Sequence, residues 1–566
     1  ADSLTIGNNI TISSSSGANG LGGGIYAAGS GVTITLDGAV IGGSVAEANS
    51  AKSGGGVALT AGASLRMLNA SVITYNTAVD GGGVYASADS TLNLTSGSIS
   101  NNTATGNGGG IWTAADVTLA TGFTVTGNTA GNGGGGYASG SARVILNGGT
   151  LNRNTATYSG GALYLANGTS LEMLNNSTVS TNSAANGAGV YAEAGSTLTL
   201  TSGSISNNTA TGDGGGIWTV ADVTLAADFT VTGNTAGNGG GIYASGTAKV
   251  TLNGAAISGN TTTTSGGGLY LATGTALEML NSSTVSTNSA LNGAGVYAEA
   301  GSTLTLTSGS VGNNTATGDG GGIWTAADMT LAADFTVTGN TAANGGGIYA
   351  SGTAKVTLNG AAISGNTTTT SGGGLYLATG TALEMLNSST VSTNSALNGA
   401  GVYAEAESTL TLTSGSIGNN TATGNGGGLW TSGIAVISPD FTVTENRSVN
   451  GAGVYAAGPG KVTVDSGRIY SNIATGNGGG VYLTAGAAFE MLNSGNIYSN
   501  AAVHGGGVYA DSGSILTLTS GSLSDNTATG DGGGIWTATD IALATGFSVT
   551  GNSTVNGGGG YASRNA

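Results

Sequence analysis

The sequence lacks cysteine and contains two prolines and one histidine in 566 residues. Without cysteine the chain has no disulfides, no thiolate metal sites and no cysteine nucleophile. Scarce proline, together with the absence of a Gly-X-Y period, excludes collagen although glycine accounts for 111 residues. The sequence is also poor in charge, with 7 % charged residues where soluble domains have roughly 25 %.

The small amount of charge present is mostly negative. Ten Lys and Arg residues face 27 Asp and Glu residues, for a formal net charge of −17. Nucleic-acid binding depends on clustered Lys and Arg, so no nucleic-acid partner is expected. No apolar run reaches the roughly 20 residues of a membrane span. The apolar content of 39 % also differs from that of disordered chains.

A short glycine-rich tag, Gly-[GA]-[GA]-aliphatic-aromatic, recurs along the chain. Ala58 takes the aromatic slot after Tyr26, and from Tyr85 onward the spacings run 27, 25, 27 and 27 residues. We predict that the tag aromatics form an outward-facing stripe for assembly or ligand binding, comprising Tyr85, Trp112, Tyr137, Tyr164, Tyr191, Trp218, Tyr243, Tyr270, Tyr297, Trp324, Tyr349, Tyr376, Tyr403, Trp430, Tyr455, Tyr482, Tyr509 and Trp536.

Four tags make a longer repeat of 106 residues. All five tryptophans follow this period, and residues 186–291 differ from residues 292–397 at only five positions. One of these differences is Ile205 against Val311. The chain therefore contains duplicated blocks, each four tags long.

A second recurring position is an asparagine, found once in each repeat unit. An asparagine at the same place in every coil predicts a ladder of side-chain amides that hydrogen-bond to one another. The predicted ladder includes Asn102, Asn128, Asn154, Asn182, Asn208, Asn234, Asn260, Asn288, Asn314, Asn340 and Asn366.

Each repeat unit has the pattern of one coil of a β-solenoid. After the tag residues 190–192, residues 196–201 alternate polar and apolar, as a strand with one buried face does. Residues 204–206 alternate again, and Gly and Asn, which tolerate tight corners, separate the pieces. Three short strands and three turns then make one coil, and coils stack about 4.8 Å apart.

We therefore predict an all-β fold, a single-stranded parallel β-helix of about 21 coils of 25–27 residues. Residues 1–566 are expected to form one continuous β-solenoid, with more divergent coils in 1–80 and regular four-coil super-repeats in 81–566. The residues around Leu4 and Ile6 resemble a coil already, and the sequence stops soon after Tyr561, so neither end has the pattern of a polar cap.

The acidic residues give no catalytic pattern. Glu193, Glu299, Glu405 and Asp511 repeat every four coils, roughly 19 Å apart on the same spacing, which is too far for paired carboxylates. Asp213, Asp222 and Asp228 share one coil, where they could bridge a cation or remain solvated. We predict no catalytic residues, no metal ligands and no cofactor, and hence no enzyme.

Other polar residues have simpler interpretations. His504 replaces the Asn or Asp before the tag and is expected to be a turn residue, and Gly133 to Gly136 are expected to form a corner because no Gly-Lys-Ser/Thr follows. Asn-X-Ser/Thr sequons are frequent, and candidate glycosylation sites lie at Asn101, Asn207, Asn313 and Asn419.

The tag Gly-Gly-[GA]-[ILV]-Tyr followed by x-x-Asn-x-Ala resembles the repeats of polymorphic outer-membrane protein passenger domains. It is also similar to adhesin-like β-helix repeat proteins of bacterial and archaeal envelopes. Where the passenger repeats usually have Phe three residues before the Asn, this sequence has Ile205, Val231 or Val285. The resemblance implies a right-handed helix and a role in surface display, adhesion or assembly.

Three functions follow as hypotheses. The first is a self-assembling subunit of an extracellular filament, sheath or surface layer, with further copies of the chain as its partner in lateral or head-to-tail contacts. The second is a cell-surface adhesin whose aromatic rings stack on glycans or other envelope components. The third is a polysaccharide lyase or hydrolase.

Overall fold

The computed structural model describes residues 2–563 and is built almost entirely of parallel β-strands. The chain divides into two compact units, Ala1–Thr284 and Val285–Ala566. Each unit is a right-handed parallel β-solenoid, which confirms the predicted fold class. The helical content of the described residues is one turn of 3-10 helix, Val45–Glu47.

The tag of every repeat forms a short strand, here called the tag strand. The first unit has ten, Ile25–Ala28, Val57–Thr60, Val84–Ala86, Ile111–Thr113, Gly136–Ala138, Leu163–Leu165, Val190–Ala192, Ile217–Thr219, Ile242–Ala244 and Leu269–Leu271. The second unit has eleven, Val296–Ala298, Ile323–Thr325, Ile348–Ala350, Leu375–Leu377, Val402–Ala404, Leu429–Thr431, Val454–Ala456, Val481–Leu483, Val508–Ala510, Ile535–Thr537 and Gly560–Ala562. One tag strand per coil gives about 21 coils, as predicted.

The second face of each coil, here called the long face, carries the alternating segment. In one coil it consists of two strands, Ser170–Leu174 and Ser177–Ser180, and in the next coil these join as Thr197–Ser206. The strands pair in parallel and in register, as with Leu171 opposite Leu198. Buried and exposed residues alternate along them, so one side faces the core.

A further strand of two residues, the short strand, was not predicted. It follows the ladder asparagine, as Thr209–Ala210 follows Asn208, with the threonine exposed and the alanine buried. In the first unit the short strands are Thr77–Ala78, Thr103–Ala104, Thr129–Ala130, Thr155–Ala156, Ser183–Ala184, Thr209–Ala210, Thr235–Ala236 and Thr261–Thr262. The prediction of three strands per coil missed it because two residues are too short to show a period.

Aliphatic side chains from the tag strand and the long face fill the interior. Val190, Leu198, Leu200 and Ile205 are buried in one coil. Phenylalanine recurs every 106 residues among the most buried side chains, as at Phe229. Each coil buries this face only because its neighbours cover it from both sides.

The asparagine ladder is present in both units. The side chain of Asn208 donates from Nδ2 to Oδ1 of Asn234 (2.9 Å) and to the carbonyl oxygen of Val179 (3.1 Å). Its Oδ1 accepts the Nδ2 and the backbone N–H of Asn182, at 2.9 and 3.0 Å. All four hydrogen bonds of a fully buried amide are thus made, each to a neighbouring coil.

The residue before each ladder asparagine turns the chain. Asn207 has a φ of 55°, in the left-handed region that asparagine enters more readily than most residues. Its side chain is exposed, while that of Asn208 is buried. Two adjacent asparagines therefore have different roles, one at the corner and one in the ladder.

The first unit has a packing defect at one tag strand. Gly136 occupies the inward position that Ile242 fills one super-repeat later, and a cavity of about 20 Å³ lies beside it. Its lining includes Leu119, Val125 and Leu163. A β-carbon on Gly136 would lie 3.8 Å from the carbonyl oxygen of Ile111 and 3.3 Å from Leu163 Cδ1, so a side chain fits once the flexible end of Leu163 shifts by a few tenths of an ångström.

We expect Gly136→Ile to stabilise the first unit by about 1–2 kcal/mol, because it buries apolar surface and reduces the freedom of the unfolded chain. The matched reverse change, Ile242→Gly, should destabilise by roughly 3–5 kcal/mol. Thermal unfolding of the two variants and the unchanged chain measures both effects. A lower melting temperature for Gly136→Ile would contradict the assignment of this cavity.

We expect Asn208→Ala to cost about 2–4 kcal/mol, because it leaves polar groups of Asn182 buried without their partners. Asn207→Gly, one residue earlier at an exposed position where the next coil has Gly233 at a φ of 67°, is the control and should change stability by less than about 1 kcal/mol. Amide hydrogen exchange of the flanking coils is the measurement. Equal protection in the two variants would show that the ladder adds little.

Candidate functional site

The tag aromatics form a stripe on the outer side of the tag strands. In Val190–Ala192 the two flanking residues are buried and Tyr191 between them is partly exposed. Alternation along a strand requires this, because inward aliphatic side chains leave only the outward direction for the residue between them. The tag strands pair in register, which places Tyr191 beside Trp218 and Tyr164.

The rings of the stripe stack face to face along each unit. From Tyr85 to Tyr270, neighbouring ring centroids lie 4.3–6.5 Å apart with interplanar angles of 4–19°. From Tyr297 to Trp536 the distances are 4.2–6.3 Å and the angles 6–20°. The coil spacing explains these values, since in-register strands about 4.8 Å apart bring like side chains to near-stacking distance.

Stacking determines what the stripe presents to solvent. A ring within the stack has a neighbour on each face, so its edge and its hydroxyl or indole N–H are what remain exposed. The widest steps follow each tryptophan, as between Trp112 and Tyr137 (6.5 Å) and between Trp324 and Tyr349 (6.3 Å). The stripe is therefore a ridge of ring edges with a slight offset once in every four coils.

In the four-coil blocks where the contact is described, a carboxylate accepts a hydrogen bond from one tyrosine hydroxyl. The Tyr164 hydroxyl donates to Oε1 of Glu193 (2.5 Å), whose Oε2 accepts the backbone N–H of Asn167 (2.9 Å). Tyr376 donates likewise to Glu405, and Tyr482 donates to Asp511 (2.8 Å). The acidic series that is too widely spaced for paired carboxylates thus fixes the ring edges of the stripe.

These contacts change the acidity of the stripe. Burial, followed by the hydrogen bond to Glu193, raises the pKa of Tyr164 well above its usual value. Burial and the nearby Asp319 and Glu405 carboxylates raise the pKa of Tyr349 to about 12. Burial acts to raise the pKa of Glu405, but the hydrogen bonds from Tyr376 and Thr379 outweigh it and lower that pKa.

A second acidic series lies on the outer side of the long face. Lys249 Nζ lies 2.6 Å from Glu278 Oε2, and Lys355 is paired with Glu384 at the same distance. Arg143 pairs with Glu172, and Lys461 with Glu490. These partly exposed pairs recur every four coils and contribute little stability individually.

The remaining polar candidates lie in turns. Asp213 Oδ1 accepts the Nδ2 of Asn238 (2.9 Å), and Asp222 accepts the backbone N–H of Lys249 (2.8 Å). His504 lies in the turn before its tag, where its Nδ1 accepts the backbone N–H of Asp531 (3.0 Å). Across residues 2–563, no three His, Asp or Glu side chains come together as a metal site would require.

The candidate glycosylation sites occupy one kind of corner. Asn101, Asn207, Asn313 and Asn419 all precede a ladder asparagine, have φ values of 55–57° and are exposed. Their modification stays a prediction.

The family model for the right-handed β-helix region matches residues 62–235, 165–341 and 307–447, which together cover more than half of the chain. The chain belongs to the right-handed β-helix family. No curated protein and no solved structure matches this β-helix. The family match extends to the fold and does not test the likeness to outer-membrane passenger domains.

The family includes both enzymes and proteins without catalysis, so membership alone leaves the activity of this β-helix open. Within residues 2–563, no helix is long and apolar enough to cross a membrane.

The ring stacking and the tyrosine–carboxylate pairs are not among the features predicted from the sequence. The signal for the pairs was present, because each acidic residue stands two positions after a tag aromatic and 29 positions after the tyrosine that it binds. In a coil of 27 residues, that spacing places the carboxylate beside the ring of the preceding coil.

The stripe predicts how this β-helix responds to alkali. A tyrosine with a raised pKa keeps its proton longer in the folded state, so its stabilising contribution is complete below pH 10 and is lost as the pH rises through the folded pKa. We expect the melting temperature to fall between about pH 10 and 12. Tyr349→Phe, which cannot ionise, should lessen that fall, and a pH series of thermal unfolding curves provides the check.

The control for this experiment is Tyr26→Phe. Tyr26 pairs with Ala58 on the neighbouring tag strand and therefore lies outside the ring stack. If both variants flatten the alkaline limb equally, the stack does not set the acidity of Tyr349.

Proposed function

We propose that this β-helix is an extracellular structural protein, a cell-surface subunit that assembles side by side with further copies of itself through the aromatic stripe. The observation that carries the proposal is the ridge of ring edges, which presents a partly exposed aromatic group at nearly every coil of each unit. Aromatic side chains are enriched at protein interfaces because they bury much area at low entropic cost.

The 106-residue period supports regular contacts. Each four-coil block repeats one tryptophan on the stripe, and carboxylates bind the hydroxyl groups of Tyr164, Tyr376 and Tyr482 at equivalent positions of their blocks. Two parallel copies that match in one block therefore match in the next, and each matched block adds to the total affinity. The absence of disulfides fits such an assembly, because its strength comes from repetition.

The adhesin hypothesis receives less support from the geometry. A ring stacks on a sugar through its face, and the ring faces of the stripe are covered by one another, as between Tyr191 and Trp218 at 4.3 Å. The lyase or hydrolase hypothesis needs carboxylates that act together. Here Glu193 and Glu405 are each engaged with a tyrosine hydroxyl and a backbone N–H.

A stripe variant tests the proposal. Ala58 shows that the fold accepts alanine in the tag, since it pairs in register with Tyr26 and Tyr85. We expect Trp324→Ala combined with Tyr349→Ala to reduce lateral assembly of the full chain by at least several-fold. Electron microscopy and light scattering over a concentration series measure the assembly.

The matched control is Tyr470→Ala combined with Tyr498→Ala. These two tyrosines also stack on the outside (4.8 Å), but on the long face, away from the stripe. This variant should assemble like the unchanged chain. Assembly that is unaffected by the stripe variant, or an unchanged chain that stays monomeric at high concentration, would contradict the proposal.

A further inference from the structure

The outer side of the short strands carries an array of threonines. In the first unit the exposed position of each short strand is a threonine or serine, namely Thr77, Thr103, Thr129, Thr155, Ser183, Thr209, Thr235 and Thr261. Two residues further on, every second coil has another exposed threonine, at Thr105, Thr157, Thr211 and Thr263. The intervening coils have Gly, Ala or Val at that second position.

From Thr77 to Thr263 the two columns have no charged member, whereas Lys52 holds the second-column position in the coil before Thr77, two residues after Ser50. Arg153 and Tyr158 stand at the corners of one coil, beside the columns rather than in them. The long face, by contrast, carries the ion pairs Arg143–Glu172 and Lys249–Glu278. These two columns from Thr77 to Thr263, here called the threonine face, therefore form an uncharged outer side of the first unit.

The hydroxyl groups of this face are free for an external ligand. Among the residues that the structure describes, the side chains of Thr103, Thr105, Thr209 and Thr211 are exposed and have no hydrogen-bond partner. Their backbone is held, since the N–H of Thr105 donates to the carbonyl oxygen of Ala78 (3.0 Å) and that of Thr211 to Ala184 (3.1 Å). Each threonine thus offers a methyl and a hydroxyl group from a fixed backbone.

The array is regular along the stack of coils. The short strands pair in register, with Thr103 opposite Thr77 and Thr129, and Ser183 opposite Thr155 and Thr209. Coils follow at about 4.8 Å along each column, and the second column lies two residues further along the chain, at a bend just past the short strand. The coil spacing is close to a repeat of water oxygens on a prism face of ordinary ice.

We propose that the threonine face of the first unit binds ice. The hydroxyl groups hold water on the face, and the methyl groups between them order it. This water takes positions that continue the lattice of the ice crystal. No single threonine binds strongly, but contacts repeated over successive coils add up as in multivalent binding. A charged residue would oppose this by retaining its own hydration shell.

The second unit has a corresponding column that can be compared with the threonine face of the first unit. Its corresponding column contains Arg447, Ile473 and Ala501 in consecutive coils, all at the position that threonine or serine holds elsewhere. The regular array is interrupted there, so the face of the first unit should account for most of the binding.

The test is ice growth in the presence of the full chain. We expect a gap between the freezing and melting temperatures, faceted crystals and inhibition of recrystallisation. Thr209→Lys combined with Thr235→Lys should reduce the gap several-fold. The control is Thr199→Lys combined with Thr224→Lys, which adds the same charge to exposed positions of the same coils on the long face and should leave the gap unchanged.

A gain-of-function variant separates binding from folding. Arg447→Thr, Ile473→Thr and Ala501→Thr together should extend the regular array and increase the gap. The proposal is overturned if the unchanged chain shows no gap and no inhibition of recrystallisation, or if both lysine variants behave alike. Because lateral assembly is measured separately through the stripe, either proposal can fail without the other.

Discussion

In-register hydrogen bonding between successive coils is the constraint on which the other features of each unit depend. Backbone pairing fixes which residue lies above which, and the asparagine ladder repeats that choice with buried side chains, as at Asn208 and Asn234. A slip of one residue would leave every ladder amide without its partner and turn inward side chains outward. The cost of such a slip explains how a chain so rich in glycine and so poor in charge folds to one register.

Once the register is fixed, a residue that recurs in the sequence recurs as a column in space. The outward tag position becomes a stack of aromatic rings, the outward short-strand position becomes a threonine face, and one position of the long face becomes a series of ion pairs. Each face thus acquires its own chemistry from one residue choice per coil. The surface proposed for assembly and the surface proposed for ice binding can therefore coexist without competing for side chains.

Much of the fold could be predicted from the sequence, because a residue that recurs at a fixed spacing shows which positions of successive coils lie above one another. The tag spacing indicated the coils, and the recurrence of asparagine indicated the ladder. The short strand could not be found by periodicity, since Thr209–Ala210 is shorter than one period. The hydrogen bond between Tyr164 and Glu193 joins different coils, so it emerges only when coils are laid over one another. The cavity beside Gly136 was visible as a missing aliphatic residue in the tag, but its consequence depended on the packing of Leu163 and Val125.

The four-coil block also bears on how the gene can vary. Residues 186–291 and 292–397 are nearly identical, so unequal recombination between them would remove or add 106 residues. Every coil at the new junction would still lie between the same kinds of coil as before. Loss of the single coil that contains Tyr191 would instead remove Glu193 and leave the Tyr164 hydroxyl without its carboxylate partner. Length polymorphism among natural alleles should therefore occur in whole blocks.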